Sequence, residues 1–288
     1  MTRGPLPVDG HVHSEWSWDT GGPSSGAAGR MAATCVRALE IGLPGMVFTE
    51  HLDLDINWRS TTDDLLEHQR RLLTDEGYVA VPEFDVDGYS AAIKRCRAEF
   101  PTVRILTGVE VGQPHVHPDR IRALTSRFDR INGSLHTLPV GGDRFEPNTV
   151  YSMWPADEVI LAYLDEAHRM LEAADLFEVF CHLDYAVRTW PTRRAGEFQP
   201  SRFENHFRQT LRAIAQTDLV LEINTGIMRP WLTQWWAEEG GQQVTFGSDA
   251  HEPRHLAAHF VEAVDLARDS GYVPGETPDL PWRRNGSG

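Results

Sequence analysis

Two histidines separated by one residue stand near the start of the chain, in Asp9-Gly10-His11-Val12-His13. Alternate side chains of an extended segment point the same way, so the imidazoles of His11 and His13 can bind one metal ion. An isolated pair of this kind is a weak signal. It gains weight because further imidazole and carboxylate groups stand at comparable places along the rest of the chain.

These further groups end or directly follow short apolar segments. They are Glu50, His51, Glu110, His136, His182, Glu222, Asn224, Asp249 and His251. Buried polar groups cost several kcal/mol unless they have partners, and metal ions supply such partners. Mixed nitrogen and oxygen ligands suit Zn, Mn or Fe. The pattern predicts two or three divalent ions, with Glu110 bridging two of them.

Short apolar segments alternate with longer helical patterns along most of the chain. The predicted strands cover residues 6–12, 45–49, 104–111, 130–135, 176–181, 219–224 and 243–247. The predicted helices cover residues 29–41, 63–74, 86–100, 118–125, 155–174, 200–216, 230–239 and 253–270. Proline opens several of these helices, where its missing N–H costs nothing. The alternation predicts parallel strands joined by helical crossovers.

All seven predicted strands deliver at least one ligand-type residue near the carboxyl end. In a β/α barrel these ends converge on one mouth, where active sites lie. An open doubly wound sheet brings together only the groups near its switch point. The sequence therefore favours a single α/β barrel domain over residues 1–288, with a tail at 271–288 that is predicted to be partly loose.

The composition is that of a globular protein, because 41% of the 288 residues are hydrophobic and 24% are charged. Lys and Arg number 27 against 42 Asp and Glu, and the net charge of −15 disfavours long nucleic acid as a partner. No run reaches the roughly 18 apolar residues of a membrane helix, and the N-terminus lacks the apolar core of a signal peptide. Three scattered cysteines make no disulfide framework. We therefore expect a soluble, cytoplasmic protein with reduced thiols and no membrane partner; the sequence does not indicate its oligomeric state.

The motifs and their order resemble the polymerase-and-histidinol-phosphatase (PHP) superfamily, and more closely its histidinol-phosphate phosphatase branch. The matching segments are Asp9-Gly10-His11-Val12-His13 with Asp19, Thr49-Glu50-His51, Gly108-Val109-Glu110, Gly133-Ser134-Leu135-His136, Cys181-His182-Leu183-Asp184, Leu221-Glu222-Ile223-Asn224 and Gly247-Ser248-Asp249-Ala250-His251. They span residues 9 to 251 in the family's order. The resemblance implies a distorted seven-stranded TIM-like barrel with a trinuclear metal site at the C-terminal ends of the strands.

The resemblance also implies how the ligands are shared among three ions. The three sets are His11, His13, Glu110 and Asp249 for the first ion, Glu110, His136 and His182 for the second, and Asp19, His51 and His251 for the third. The position of Asp19 is histidine in some relatives, so a carboxylate there can change the metal preference. The segment around residues 140–153 matches no motif of the family.

The activity that the resemblance implies is metal-dependent hydrolysis of a small phosphate ester, with L-histidinol phosphate of histidine biosynthesis as the leading substrate. Multi-metal sites activate water and clamp a phosphoryl group. The candidate catalytic residues are Asp249, His251 and Glu110, and the candidate substrate-binding residues are Arg188, Glu222 and Asn224. Arg188 resembles a basic residue of that branch and can clamp phosphate through its planar guanidinium. The general acid for the leaving group stays unassigned.

Two other functions stay open. One is a PHP phosphoesterase that acts on a nucleotide or a sugar phosphate, and the other is a non-catalytic metal-binding module. Carboxylates that can pair with the ammonium or imidazolium of histidinol are offered by Glu222 and by Asp53 and Asp55 in the loop after the second strand. The alternative for Asp53 and Asp55 is that they are ordinary loop residues.

The segment His251-Glu252-Pro253-Arg254-His255 matches the H-E-x-x-H motif of metalloproteases. That chemistry needs both histidines on one helical turn. Pro253 is expected to begin a helix and to leave His251 outside it, which argues against a protease.

Five further residues have two interpretations each: His115, His117, Trp16, Trp18 and Trp58. The two histidines lie between prolines, in a loop that is either solvated or in contact with substrate. The three tryptophans follow the first and second strands, and they either line the barrel mouth or pack the loops.

Overall fold

The computed structural model describes residues 6–286. Its strands are β1 (Asp9–Val12), β2 (Gly45–Leu52), β3 (Trp58–Arg59), β4 (Arg104–Gly112), β5 (Arg130–Ser134), β6 (Leu138–Val140), β7 (Asp143–Phe145), β8 (Val179–Phe180), β9 (Val220–Asn224), β10 (Gln243–Gly247), β11 (Tyr272–Val273) and β12 (Trp282–Arg284). Its helices are α1 (Arg30–Ile41), α2 (Val86–Glu99), α3 (Pro118–Thr125), α4 (Pro147–Met153), α5 (Ala156–Met170), α6 (Tyr185–Arg188), α7 (Thr192–Ala195), α8 (Pro200–Ala215), α9 (Pro230–Glu238) and α10 (Phe260–Asp269).

Nine of these strands form one sheet, in the order β1-β2-β4-β5-β8-β9-β10-β12-β11. The first seven in this order run parallel to their neighbours. Two backbone hydrogen bonds, both of 2.9 Å, lie at the ends of β1 and β10. The N–H of His13 donates to the carbonyl of Ala250, and the N–H of Asp249 donates to the carbonyl of His11. These bonds join the first parallel strand to the last. The seven strands therefore curl into the predicted distorted barrel, with their carboxyl ends at one mouth.

Burial on both faces explains the apolar strands. Val47 in β2 and Val109 in β4 are almost unexposed, as expected for strands covered by helices outside and by side chains inside the barrel. The helices bury one stripe each at the helical period. In α8 this stripe consists of Phe203, Phe207, Leu211 and Ile214.

The C-terminal segment, which was predicted to be partly loose, contains two short strands. β12 pairs antiparallel with the start of β10, and β11 pairs antiparallel with β12. Trp282 is 3% exposed and packs edge-on against Phe246, with ring centroids 5.1 Å apart. Strands of two and three residues are too short to show the alternation that identifies strands in a sequence. Residues 1–5 and 287–288 of the predicted domain lie outside the described residues.

The helix predicted over residues 63–74 is wrong. Only a single 3₁₀ turn, Arg70–Leu72, forms there, and Leu66 is 61% exposed. The segment has no continuous apolar stripe to bury, so a helix gains little from packing. It instead packs against the loop after β1, where the Gln69 amide donates to the carbonyl of Asp19 at 3.2 Å.

The helix predicted over residues 253–270 begins only at Phe260. Ala257 and His259 adopt positive φ angles of 52° and 56°, which interrupt the right-handed helix before that point. His251 lies outside every helix of the described chain, and His255 ends a short 3₁₀ turn. The two histidines of the H-E-x-x-H pattern therefore do not share a helical turn, as the position of Pro253 predicts.

A second sheet, in the order β3-β7-β6, was not predicted. β6 and β7 form an antiparallel hairpin, and β7 pairs parallel with β3. The hairpin belongs to the segment around residues 140–153 that matches no motif. The three-stranded sheet places Trp58, in β3, and Glu146, which follows β7, beside the barrel mouth.

Candidate metal centre

The loops and strand ends at the barrel mouth bring all nine predicted metal ligands into one continuous cluster. Each lies within 4 Å of at least one other ligand through an imidazole nitrogen or a carboxylate oxygen. The nine are His11, His13, Asp19, His51, Glu110, His136, His182, Asp249 and His251. The seven parallel strands cause this convergence, because each ends at the same edge of the barrel.

The first group of ligands surrounds the two histidines of the opening motif. His11 Nε2 and His13 Nε2 are 3.0 Å apart. Glu110 Oε2 lies 3.3 Å from the first and 3.5 Å from the second of these nitrogens. Asp249 Oδ1 lies 3.7 Å and 3.3 Å from them. These four atoms are close enough to share one cation.

The second group uses the other oxygen of Glu110. Its Oε1 lies 2.8 Å from His182 Nε2 and 3.2 Å from His136 Nε2. Ser134, at the end of β5, donates its hydroxyl to the same oxygen. The two oxygens of Glu110 thus face different pairs of histidines, which is the geometry of a carboxylate that bridges two ions.

The third group lies nearest to solvent. Asp19 Oδ2 is 2.8 Å from His251 Nε2 and 3.6 Å from His51 Nε2. The other nitrogen of His51, Nδ1, is 3.0 Å from Glu110 Oε2 and connects this group to the first. The rings of His51 and His251 both stack on His13, at centroid distances of 4.4 and 4.2 Å.

Outer partners fix the orientation of several ligands. Glu222 Oε2 lies 2.6 Å from His11 Nδ1, and the Ser17 hydroxyl lies 2.9 Å from His13 Nδ1. A contact at Nδ1 leaves Nε2 free to face the centre, as is usual for metal-bound histidines. Asn224 donates its amide to the other oxygen of Glu222 at 3.0 Å. Glu222 and Asn224 were predicted to bind substrate, but they lie behind His11 and outside the pocket lining.

The donor set fits bound cations. Glu110 Oε2 is buried and accepts no hydrogen bond from any residue in 6–286, although imidazole nitrogens surround it. Burial, together with the neighbouring His251 and His51, lowers the pKa of His13 to about 3, whereas the surrounding carboxylates outweigh burial and raise the pKa values of His11, His51 and His136. Several buried groups of histidine and carboxylate occur together here. They indicate a polynuclear metal site.

A pocket of about 230 Å³ opens onto these groups. Its lining includes Asp19, His51, Glu110, His136, His182, Asp249 and His251, and also Arg188, Tyr185, Trp18, Trp58 and Glu146. Arg188 donates Nη1 to Asp249 Oδ2 at 2.9 Å. Its Nε and Nη2 are buried and have no hydrogen-bond partner within the described residues. Two guanidinium nitrogens of Arg188 therefore have no partner among the described residues, and the role of Arg188 as a phosphate clamp stays a prediction.

The two acidic groups after β2, Asp53 and Asp55, both contact other protein groups, and Asp53 also lines the pocket. Asp53 Oδ1 lies 3.2 Å from His136 Nδ1, and its Oδ2 accepts a hydrogen bond from Trp18 Nε1 at 2.8 Å. Asp55 is buried and outside the pocket lining, with His117 Nε2 at 2.9 Å. Both carboxylates are thus occupied by protein groups, and Asp55 is not available to a substrate.

The structure places differently the five residues that had two interpretations each, which are two loop histidines and three tryptophans. His115 and His117 are partly exposed and lie outside the pocket lining, and each contacts a buried carboxylate. Trp18 and Trp58 line the pocket and meet edge-to-face, with centroids 5.6 Å apart. Trp16 is half-buried against the core and does not line this pocket.

Glu146 and Tyr185 line the pocket but were not predicted as site residues. Burial raises the pKa of Glu146 to about 7, and the negative charge of Asp53 adds to this shift while His136 opposes it. Glu146 stands directly before Pro147, the first residue of α4, and no ligand-like spacing marks it in the sequence. Tyr185 follows the matched segment that ends at Asp184, so its position next to the site could have been inferred.

Helices of the described chain are too short or too polar to cross a membrane. The barrel and the polynuclear centre at its mouth define a metal-dependent hydrolase. The PHP domain model matches residues 9–226, which is most of the barrel. The chain belongs to the PHP domain family.

Relatives with curated names cover most of this chain. A protein of Clostridium acetobutylicum named probable histidinol-phosphatase is 25% identical over 242 residues, which cover 80% of this chain and 84% of its own. A protein of Thermotoga maritima with the same name is 30% identical over 233 residues, which cover 74% of this chain and 87% of its own. The crystal structure of histidinol phosphate phosphatase from Lactococcus lactis, complexed with zinc, L-histidinol and phosphate, matches with a TM-score of 0.72 at 21% identity. The match covers 93% of this chain and 95% of that one, and it shows that the two share a fold.

Proposed function

We propose that this protein is a metal-dependent phosphomonoesterase that hydrolyses L-histidinol phosphate to L-histidinol and phosphate. The observation that carries the proposal is the position of Arg188, whose guanidinium is hydrogen-bonded to Asp249 and lines the same pocket as Glu110, the carboxylate that faces two pairs of histidines. Cation clusters next to a guanidinium suit a dianionic phosphoryl group. The names of the relatives support histidinol phosphate as the particular ester.

The three ligand groups support three divalent ions, with zinc, manganese and iron as the candidates. When bound, such ions lower the pKa of water and neutralise charge on the phosphoryl oxygens. Glu110 would hold two ions at a fixed separation through its two oxygens. Glu222 and Ser17 keep the Nε2 atoms of His11 and His13 pointing at the centre.

Arg188 would bind the phosphoryl oxygens through Nε and Nη2. Asp249 accepts a hydrogen bond from the third nitrogen, Nη1, and so holds the guanidinium at the edge of the first ligand group. Burial lowers the pKa of Arg188, but Asp249 and Asp184 outweigh this effect and raise it, so the side chain stays charged. Asp249 and His251 line the same pocket, but both are also predicted metal ligands, so the general acid that protonates the leaving oxygen stays unassigned.

The far wall of the pocket suits a cationic, flat leaving group. Trp18 and Trp58 offer aromatic surface, and Glu146 offers a carboxylate. An aromatic face and a carboxylate both attract an imidazolium or ammonium group. A sugar or glycerol leaving group carries no positive charge and would gain neither the cation–π attraction nor the ionic attraction.

The test is a comparison of substrates on one metal-loaded preparation. Phosphate release is measured from L-histidinol phosphate, glycerol phosphate and AMP, with zinc or manganese added, and the Glu110→Gln protein serves as the control for contaminating phosphatase. We expect kcat/KM for L-histidinol phosphate to exceed the other two by at least about tenfold, because each 1.4 kcal/mol of preference is a factor of ten. Equal values, or a preference for AMP, would refute the substrate and favour the nucleotide alternative. Turnover of none of the three would favour a metal-binding module.

A further inference from the structure

Gln113 occupies an unusual position directly after β4. Its side chain is fully buried, and its φ of 48° lies in the left-handed region that residues with a side chain seldom adopt. Its Oε1 accepts the backbone N–H of His136 at 2.6 Å and that of Thr137 at 3.3 Å. One side chain thus binds two consecutive amides of the loop after β5, and the first of these belongs to a metal-ligand residue.

The amide nitrogen of Gln113 is hydrogen-bonded as well. Its Nε2 donates to Asp55 Oδ2 at 2.7 Å. His117 Nε2 lies 2.9 Å from Asp55 Oδ1, and Arg144 Nε lies 3.4 Å from Oδ2. The pKa of Asp55 is lowered because the hydrogen bonds from His117 and Gln113 outweigh the effect of burial. Asp55 is therefore a charged anchor for the amide.

The anchor extends through Arg144 to the barrel wall. Arg144 donates Nη2 to Glu166 Oε1 at 2.8 Å and to the carbonyl of Thr137 at 2.8 Å. His115 Nε2 lies 3.0 Å from the same oxygen of Glu166. The network therefore ties the loops after β2, β4 and β5 to the β6–β7 hairpin and to α5. It uses both histidines of the His115-Val116-His117 segment, which the metal centre does not use.

We infer that Gln113 is a positioning residue that holds the His136 imidazole against Glu110, with Asp55 as its anchor. The His136 ring reaches the second ligand group from a loop, not from a strand, since β5 ends at Ser134. A loop backbone is less constrained than a strand backbone, and the paired hydrogen bonds of Gln113 supply the missing constraint. The inference rests on the metal centre of the proposed function but not on the identity of the substrate.

The experiment measures metal binding, so it needs no turnover. Metal-free wild type, Gln113→Leu, Gln113→Glu, Asp55→Asn and the double variant Gln113→Glu/Asp55→Asn are titrated with zinc against a chromophoric chelator. Thermal unfolding of each metal-free protein is followed by circular dichroism. Arg169→Gln is the matched control, because Arg169 contacts the outer side of Glu166 and is half exposed to solvent.

We expect Gln113→Leu to bind one zinc ion fewer than wild type, or to bind one ion at least tenfold more weakly. Gln113→Glu keeps the acceptor but places two carboxylates together, so it should weaken the same ion. The double variant restores a carboxylate–amide pair with the roles exchanged, so it should recover at least part of the lost affinity. Arg169→Gln should bind zinc as wild type does.

Two outcomes would overturn the inference. In the first, the Gln113 variants unfold at lower temperature but bind the wild-type number of zinc ions with wild-type affinity, which is the result for a residue with only a structural role. In the second, the double variant is as weak as the sum of its single changes, which would show that Gln113 and Asp55 do not act as a pair. Neither result depends on which phosphate ester is the substrate.

Discussion

Arg188 and Asp249 form an ion pair across the pocket, with Arg188 Nη1 2.9 Å from Asp249 Oδ2. The other oxygen of Asp249 faces His13 Nε2 at 3.3 Å. One carboxylate therefore contacts both the guanidinium and a metal-ligand histidine. This shared contact fixes where a phosphoryl group must lie if it is to touch the guanidinium and the cations together.

Replacing Arg188 tests this arrangement. We expect Arg188→Lys to lower kcat/KM by about ten- to a hundredfold, since a lysine cannot hold Asp249 and two phosphoryl oxygens at once, and a charge-assisted hydrogen bond is worth roughly 1.5–3 kcal/mol. Metal content should stay at the wild-type value. Arg193→Lys, on the exposed face of α7, is the matched control. Wild-type kinetics for Arg188→Lys would contradict a phosphate clamp at this position.

Glu110→Gln tests the bridging carboxylate. A neutral amide offers one oxygen and cannot serve two cations, so we expect loss of at least one bound ion and a fall in kcat of more than about a hundredfold. Mass spectrometry of the metals and a phosphate-release assay measure the two effects. Glu172→Gln, at an exposed position after α5, controls for the loss of one charge. A Glu110→Gln protein with a full metal complement and full activity would show that Glu110 does not bridge two metal ions.

Removal of the metal ions should destabilise the folded protein. Without cations, the carboxylates of Glu110, Asp19 and Asp249 keep, among residues 6–286, only histidines, Ser134 and Arg188 as side-chain partners. Ligands that bind only the folded state add RT ln(1 + [L]/Kd), about 2.7 kcal/mol for each ion at a hundred times its Kd. We expect the midpoint of thermal unfolding to fall by several degrees after chelation and to return when zinc or manganese is added. A midpoint that does not respond to either treatment would contradict tight metal binding.

The parallel barrel and the convergence of the ligands could be predicted from the sequence. Strands buried on both faces are continuous apolar runs, and ligand-type residues at their carboxyl ends must meet at one mouth. His11, Glu110 and His182 illustrate this, because each was placed by the end of a strand and not by its own neighbours. Topology places eight of the nine ligands in this way, whereas Asp19, in the loop after β1, was identified only through the family resemblance.

The pocket wall could not be predicted in the same way. β3, β6 and β7 are two or three residues long, so they show no periodicity, and the pairing of β3 with β7 joins segments that are far apart in the sequence. Glu146 therefore has no local signal. Glu222 shows the opposite failure: its place at a strand end suggested contact with substrate, but its side chain lies behind His11. Position along a strand identifies the end of the barrel, not the side of a ligand on which a group lies.

Glu146→Gln tests the recognition of a cationic leaving group. An ordinary glutamic acid has a pKa of 4.5, and burial raises that of Glu146 to about 7. The carboxyl is therefore neutral below this pKa and negative above it, and only the negative form attracts a cation. Bound divalent ions favour the ionised form and move the transition to lower pH.

We expect the ratio of kcat/KM for L-histidinol phosphate to kcat/KM for glycerol phosphate to be higher in wild type than in Glu146→Gln, by about tenfold above pH 7. The difference should shrink as the pH falls and the wild-type carboxyl takes up a proton. Glycerol phosphate shares the ionisation of the phosphoryl group, so the ratio removes that contribution, and the comparison with Glu146→Gln removes the titration of the substrate's imidazole. The pH dependence of the two ratios, measured from pH 5.5 to 8.5, distinguishes the models. Equal ratios for the two proteins at every pH would show that Glu146 does not contact the leaving group and that the aromatic wall alone must account for any preference.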